Sequence, residues 1–318
     1  MKDSMIYYTV GALLYCPANN KTVANSIISE KFGNKYSLAL CLEDTINDDN
    51  VQDAEQQLIS TLSEIYNAHH SLNFYLPKIF IRVRNAPQME KLTSLLGDSF
   101  EIVTGFIFPK FSIQNADRYI DKLVQINHQT HRVVYGMPIY ESSSIIALNT
   151  RYDVLYALKH KIDEVSHLIL NVRVGGNDLC HHFGFRRHID ESIHKMKPIA
   201  DLFSDIITIY GHDYVVSGPV WEYYNGTHWE NGLRDEISDD ILCGFIGKTA
   251  IHPNQIEVIN SSYKVCKEDY MDAQNILNWN STPSLVAGSA LNNRMNEYKT
   301  HTNWARKILY LAKYYGTY

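Results

Sequence analysis

No run in this 318-residue sequence approaches the roughly 18 consecutive apolar residues of a membrane-spanning helix, so no membrane partner is expected. The short apolar stretch in the opening MKDSMIYYTVGALLYCPANN lacks a small-residue cleavage site, so a secretory signal is not expected either. Cysteine is sparse: Cys16, Cys41, Cys180, Cys243 and Cys266 are scattered, odd in number and form no CxxC pair. That excludes a disulfide framework or zinc ribbon and points to a cytoplasmic location. Positive charge is short as well, with 29 Lys+Arg against 35 Asp+Glu giving a net charge of −6, the wrong sign for holding phosphate backbones. No nucleic-acid partner is expected. GxGxxG, GxxxxGK[ST] and HExxH are all missing, and there is no internal repeat, which removes dinucleotide, P-loop and zincin readings and a solenoid.

What is present is globular composition, 45% hydrophobic and 20% charged, enough for a sizeable core. Short apolar runs predict strands near 11–16, 37–42, 78–84, 104–108, 133–139, 167–172, 205–210 and 243–251. Between them lie helical spacings such as Leu58, Leu62 and Ile65, then Ile120, Leu123 and Val124, then Val154, Leu155 and Leu158, with Asn115 and Thr150 placed as N-caps of the last two. Eight strands alternating with helices predict a (β/α)8 TIM barrel over 1–262, with a doubly wound open sheet as the rival. Residues 263–318 change character: an Asn-rich stretch (Asn275, Asn278, Asn280, Asn292, Asn293) precedes a helix with Trp304, Ile308 and Leu311 on one face. This reads as a C-terminal helical lid whose apolar stripe needs burial, on a neighbouring subunit in a homo-oligomer or over its own barrel.

Function in such a barrel sits where strands end, so polar residues interrupting the apolar runs are the candidates. They are Glu43 and Asp44 after LCL, Arg82 and Arg84 in FIRVRN, Lys110 in FIFPKF, Glu141 after MPIY, Asp178 in VGGNDL, and Lys248 with His252 in GKTAIHP. Glu141 and Asp178 could meet at one small site and hold a hard cation, or could merely cap the helices that follow. Arg82 and Arg84 share a strand face, where one guanidinium can grip a carboxylate while the other pairs with Glu43 or Asp44; the spacing does not say which. Gly175 and Gly176 allow close backbone approach to a ligand. His181, His182 and His188 lack zinc spacing, Arg186 and Arg187 face an anionic substrate or solvent, and the aromatic run over 217–229 lines a pocket or packs in the core.

Taken in order, these segments resemble the HpcH/HpaI aldolase and citrate lyase β-subunit (CitE-like) family along nearly the whole chain. YCPANN (15–20) is similar to the family's FVPAN, LCLEDTI (40–46) to DLEDAV, IRVRN (81–85) to VRVN and FIFPKF (106–111) to LPKV. MPIYES (137–142) is similar to LIET, VGGNDL (174–179) to GxEDL and GFIGKTAIHPNQI (244–256) to GxxGKxxIHPxQ, the most specific match. Within the family the chain most resembles a divergent branch of TIM-barrel C–C bond lyases placed in biosynthetic modules associated with tellurium resistance and stress.

The resemblance implies that Glu141 and Asp178 are Mg2+ ligands, that Arg82 grips substrate, and that Glu43 and Asp44 support the site. Arg84, Lys110, Gly175 and Gly176 would then border the substrate. NRMNE (293–297) is similar to the family's GxMVD lid element and makes Glu297 a catalytic candidate, although the acidic residue there is Glu rather than Asp. Asn177 in place of Glu and Arg84 in place of Asn are further departures. The expected activity is a Mg2+-dependent aldol or Claisen cleavage or condensation of a small oxo or hydroxy acid or its acyl-thioester, with Glu297, Glu43 or a metal-bound water as proton-transfer base. The rival is a non-catalytic barrel that binds an anionic metabolite in a multiprotein assembly.

Overall fold

A computed structural model describes residues 2–279 and 283–318, so Asn280 lies outside the described residues. Eight parallel strands are β1 (Ala12–Pro17), β2 (Ser37–Cys41), β3 (Lys78–Arg82), β4 (Val103–Phe108), β5 (Tyr135–Tyr140), β6 (Val172–Val174), β7 (Val216–Ser217) and β8 (Lys248–Ala250). They pair in the order β7-β6-β5-β4-β3-β2-β1-β8. A parallel bridge between Gly218 and Lys248 joins the last strand pair and closes the barrel.

The helices are α1 (Val23–Ile28), α2 (Val51–His69), α3 (Ala86–Leu96), α4 (Ala116–Gln129), α5 (Arg151–Asp163), α6 (Gly176–Phe183), α7 (Lys197–Tyr210), α8 (Trp229–Cys243), α9 (Asn254–Ser262), α10 (Lys267–Leu277) and α11 (Tyr298–Tyr315). Strand residues alternate between two apolar layers. Leu38 and Leu40, Ile79 and Ile81, and Phe106 and Phe108 face the helices, whereas Leu13, Ala39, Phe80, Ile107, Met137 and Ile139 fill the barrel interior. Both faces are buried, which is why the strands read as unbroken apolar runs.

The expected strand at 205–210 is instead the end of α7, and the seventh strand is the two-residue Val216–Ser217. Asn115 and Thr150 do precede α4 and α5, but neither side chain caps its helix. Asn115 accepts from the Ser112 amide (2.9 Å) and donates to the Lys110 carbonyl (3.0 Å), so it shapes the loop after β4 instead.

The C-terminal segment pairs α10 with α11 and carries a short antiparallel hairpin, β9 (Val286–Gly288) with β10 (Met295–Glu297). Arg294 ties the hairpin to α10 through Asp272 (2.8 Å from Nε) and Asp269 (2.6 Å). α11 docks at the end where the strands begin: Tyr310 stacks on Tyr8 at 4.7 Å, Tyr314 packs on Gly11, and Thr317 pairs with Val265. Leu311 and Tyr315 join the main core, while Trp304 and Ile308 pack with Ala273 and Ile276 of α10. The apolar stripe is thus covered within the chain, and the segment closes the barrel floor rather than its own mouth. No described helix is long and apolar enough to cross a membrane.

Candidate active site

Extending the inward alternation toward the strand ends brings Tyr15, Arg82, Glu141, Arg173 and Thr249 into the C-terminal part of the barrel interior, where a cavity of about 520 Å3 opens among them. Asp44, from the loop after β2, and Asp178, on the first turn of α6, complete its polar wall.

Arg82 anchors the charges. Its Nη2 lies 2.7 Å from Glu43, 2.7 Å from Asp44 and 3.3 Å from Glu141, while its buried Nε has no partner. Lys110 clamps the same acids, with Nζ on Glu43 and 2.7 Å from Asp44, and its backbone amide 2.9 Å from Glu141 Oε1. To present amide and side chain together Lys110 takes φ +48°, a left-handed conformation uncommon for a residue with a side chain. Burial would push the Arg82 guanidinium down, but Tyr15, Glu141 and Glu43 raise it, so it stays charged.

Glu141 is 3% exposed. Burial pushes its carboxyl up to about 8, Arg82 opposes the rise, and the charge of Asp178 adds to it. Gly175 makes this packing feasible, because a Cβ there would lie 2.0 Å from Glu141 Oε2. Two carboxylates near enough for the charge of one to act on the other, beside a glycine cradle, form a donor set suited to a hard cation. Among the described residues no cluster of three or more His, Cys, Asp or Glu forms a cage. Mg2+ needs none, since one or two carboxylates with water and substrate oxygens complete its octahedron.

Other expected residues lie elsewhere. Arg84 points away from the cavity, donating to the Leu42 and Ile46 carbonyls (both 3.3 Å) and pairing with Asp48, because β3 ends at Arg82 and the inward alternation ends with it. Lys248 begins β8 instead of ending it and is fully buried against α8, 3.0 Å from Glu236 and 2.6 Å from Asp240. In the IHPNQ stretch His252 stacks on Tyr224 at 4.6 Å, and Gln255 holds the loop after β7 through the Trp221 and Tyr223 carbonyls (both 2.9 Å). Arg187 is likewise internal, 3.1 Å from Glu236. Glu297 sits in the C-terminal hairpin and is not among the residues lining this chain's cavity. Arg173, Tyr15 and Thr249 line the cavity without having been singled out; Arg173 interrupts LILNVRV as Arg82 interrupts KIFIR, but the expected strand stopped at 172.

The model of the C–C bond lyases of the TIM-barrel fold matches residues 4–317. The chain belongs to that family. This C–C lyase is also similar in fold to CitE from Mycobacterium tuberculosis, solved with magnesium, acetoacetate and coenzyme A, at 17% identity and TM-score 0.63 over 96% of this chain and 99% of that one. The citrate lyase β subunit of M. tuberculosis with oxaloacetate and magnesium matches at 15% identity and TM-score 0.54, over 82% and 99% of the two chains. RipC from Yersinia pestis matches at 16% identity and TM-score 0.54, over 80% and 95%. Among curated proteins none matches the lyase significantly.

Proposed function

We propose that this lyase makes or breaks a carbon–carbon bond in a small oxo or hydroxy acid, or its acyl-thioester, by an aldol or Claisen route with Mg2+ held by Glu141 and Asp178. The observation that carries this reading is the approach of those two carboxylates beside Gly175 at the mouth of one cavity. Magnesium and small oxo acids in the similarly folded M. tuberculosis proteins support it. Mg2+, when bound there, supplies the positive charge that polarises a carbonyl and favours an enolate. The chain's own share is positional. Arg82, held by Glu43, Asp44 and Glu141, keeps its unpartnered edge for an oxyanion, and Lys110 fixes Glu141 and the two acids behind the arginine.

The protein is further proposed to be a homo-oligomer, because the C-terminal hairpin leaves Leu285, Val286, Leu291 and Met295 exposed on one short segment. Sedimentation should show more than one copy at micromolar concentration, and a monomer there would refute this. The activity is tested by incubating oxo acids and their thioesters with enzyme and Mg2+ and following products by mass spectrometry. Turnover that disappears in Glu141→Gln and Asp178→Asn, together with weakened Mg2+ binding by calorimetry, is expected. Tight acid binding without turnover would instead favour the non-catalytic barrel.

A further inference from the structure

Arg173 raises a question the lyase reading leaves open. It is 1% exposed, yet it lines the cavity. Its described hydrogen bonds go to neutral oxygens, Asn171 Oδ1 at 3.2 Å, Thr249 Oγ1 at 2.7 Å and the Tyr15 phenol. The groups that act on it most strongly are the phenols of Tyr15 and Tyr263 and a second cation, Arg82; no carboxylate is among them. A buried guanidinium normally has an anion beside it, because an uncompensated interior charge is costly. These bonds, all to neutral groups, supply no counter-charge for the guanidinium.

Its place in the fold says where the missing anion would sit. In the parallel register Ile139 of β5 lies beside Arg173, and Ser217 of β7 flanks it on the other side. Glu141, two residues beyond Ile139, is one level nearer the mouth, so Arg173 lies deeper than the carboxylates assigned to the cation. Tyr15 stands between the two arginines: its ring is 5.8 Å from the Arg82 guanidinium and its phenol acts on both.

We infer that Arg173 is the seat for a carboxylate of the substrate, gripped below the cation site with Thr249 and Tyr15 beside it, so that the natural substrate carries an acid group besides the oxygens facing Glu141 and Asp178. A planar carboxylate matches the two-donor edge of a guanidinium, and the neutral neighbours leave the charge for the ligand. The inference rests on the cavity being the substrate site, but Arg173 should bind its anion without the cation.

The test therefore uses the full chain in EDTA, with acetate, malonate, succinate and inorganic phosphate as probes in thermal-shift and calorimetric titrations. A carboxylate should bind saturably to the wild type and about tenfold or more weakly to Arg173→Gln. Without ligand, Arg173→Gln should melt within about 2 °C of wild type or above it, because a buried charge lacking a counter-ion is removed. Should that variant fail to fold, Arg173→Lys keeps the charge but loses the fork and should also bind carboxylate more weakly. Unchanged carboxylate binding in the variant that folds, a response to phosphate alone, or no anion response in the wild type would overturn the assignment. Loss of Mg2+ binding in Glu141→Gln with intact anion binding in EDTA would leave it standing, so the two readings fail separately.

Discussion

Gly175 is where one missing methyl group governs chemistry. Its backbone is ordinary, with φ −97°, so alanine would be tolerated by the chain itself but not by Glu141 Oε2 at 2.0 Å. Gly175→Ala should therefore push the Glu141 carboxylate aside and weaken Mg2+ binding severalfold while the protein still unfolds cooperatively; calorimetry beside urea melts separates the two effects. Arg82 is the opposite case, holding three acids on one nitrogen. Arg82→Met would leave the buried Glu141 without its cation and Glu43 and Asp44 with Lys110 alone, and should lower stability by about 3 kcal/mol in urea unfolding, whereas Arg82→Lys should lose much less. Equal losses in the two variants would show that packing, not charge, is what Arg82 contributes.

At the scale of elements, the junction of α8 and β8 carries the main pH dependence expected outside the cavity. Burial would push the His194 imidazole down, but hydrogen bonds to Asp240 (2.8 Å) and Cys243 and the charge of Asp240 outweigh it and lift the imidazole to about 9. A folded value above the unfolded one, about 6.5, means the contribution is complete below pH 6.5 and is lost as pH rises toward 9. At most about 3 kcal/mol is involved. Wild type should lose stability between pH 6.5 and 9.5, and His194→Gln should flatten that slope; parallel curves would remove His194 as the cause.

The same junction shows what the sequence conceals. Lys248 and Gln255 belong to the motif most specific to the family, but the direction of a side chain depends on where its strand begins, and β8 starts at Lys248 itself. The position of Arg82 and Glu141 at the cavity was legible because each closes an apolar run, and that of Asp178 because it follows the glycines after β6. Arg173 was hidden by a boundary placed two residues early, and Arg84 was misread because the inward alternation stops with β3. The run DIITIY misled through its β-branched residues, since a short buried helix end and a buried strand look alike. The spacing of Ile199, Leu202, Phe203, Ile206 and Ile209 is helical and gives the better reading.

For the whole molecule, the boundary expected at 262 does not separate two independent bodies. Leu311, Ala312 and Tyr315 belong to the barrel core, Tyr263 stacks on Tyr315 at 5.2 Å, and Tyr314 lies so close to Gly11 that a Cβ there would sit 2.8 Å from its hydroxyl. Deleting 263–318 should therefore destabilise or unfold the barrel, not merely inactivate it, as circular dichroism and thermal melts would show. A truncated chain that melts like the intact protein would restore the reading of an appended lid.

The closed floor also bears on how the chain comes off the ribosome. Strand β1 is made before the other strands, yet it pairs on one side with β8, and Tyr8 waits for Tyr310 in α11. At a synthesis rate of about 5–20 residues per second, the early strands spend many seconds with these partners still unmade. The nascent barrel therefore stays open at its β1 seam until β8 and α11 have been made, and a message stopped before them would yield an unsealed chain exposing Tyr8 and the β1 edge to chaperones and proteases.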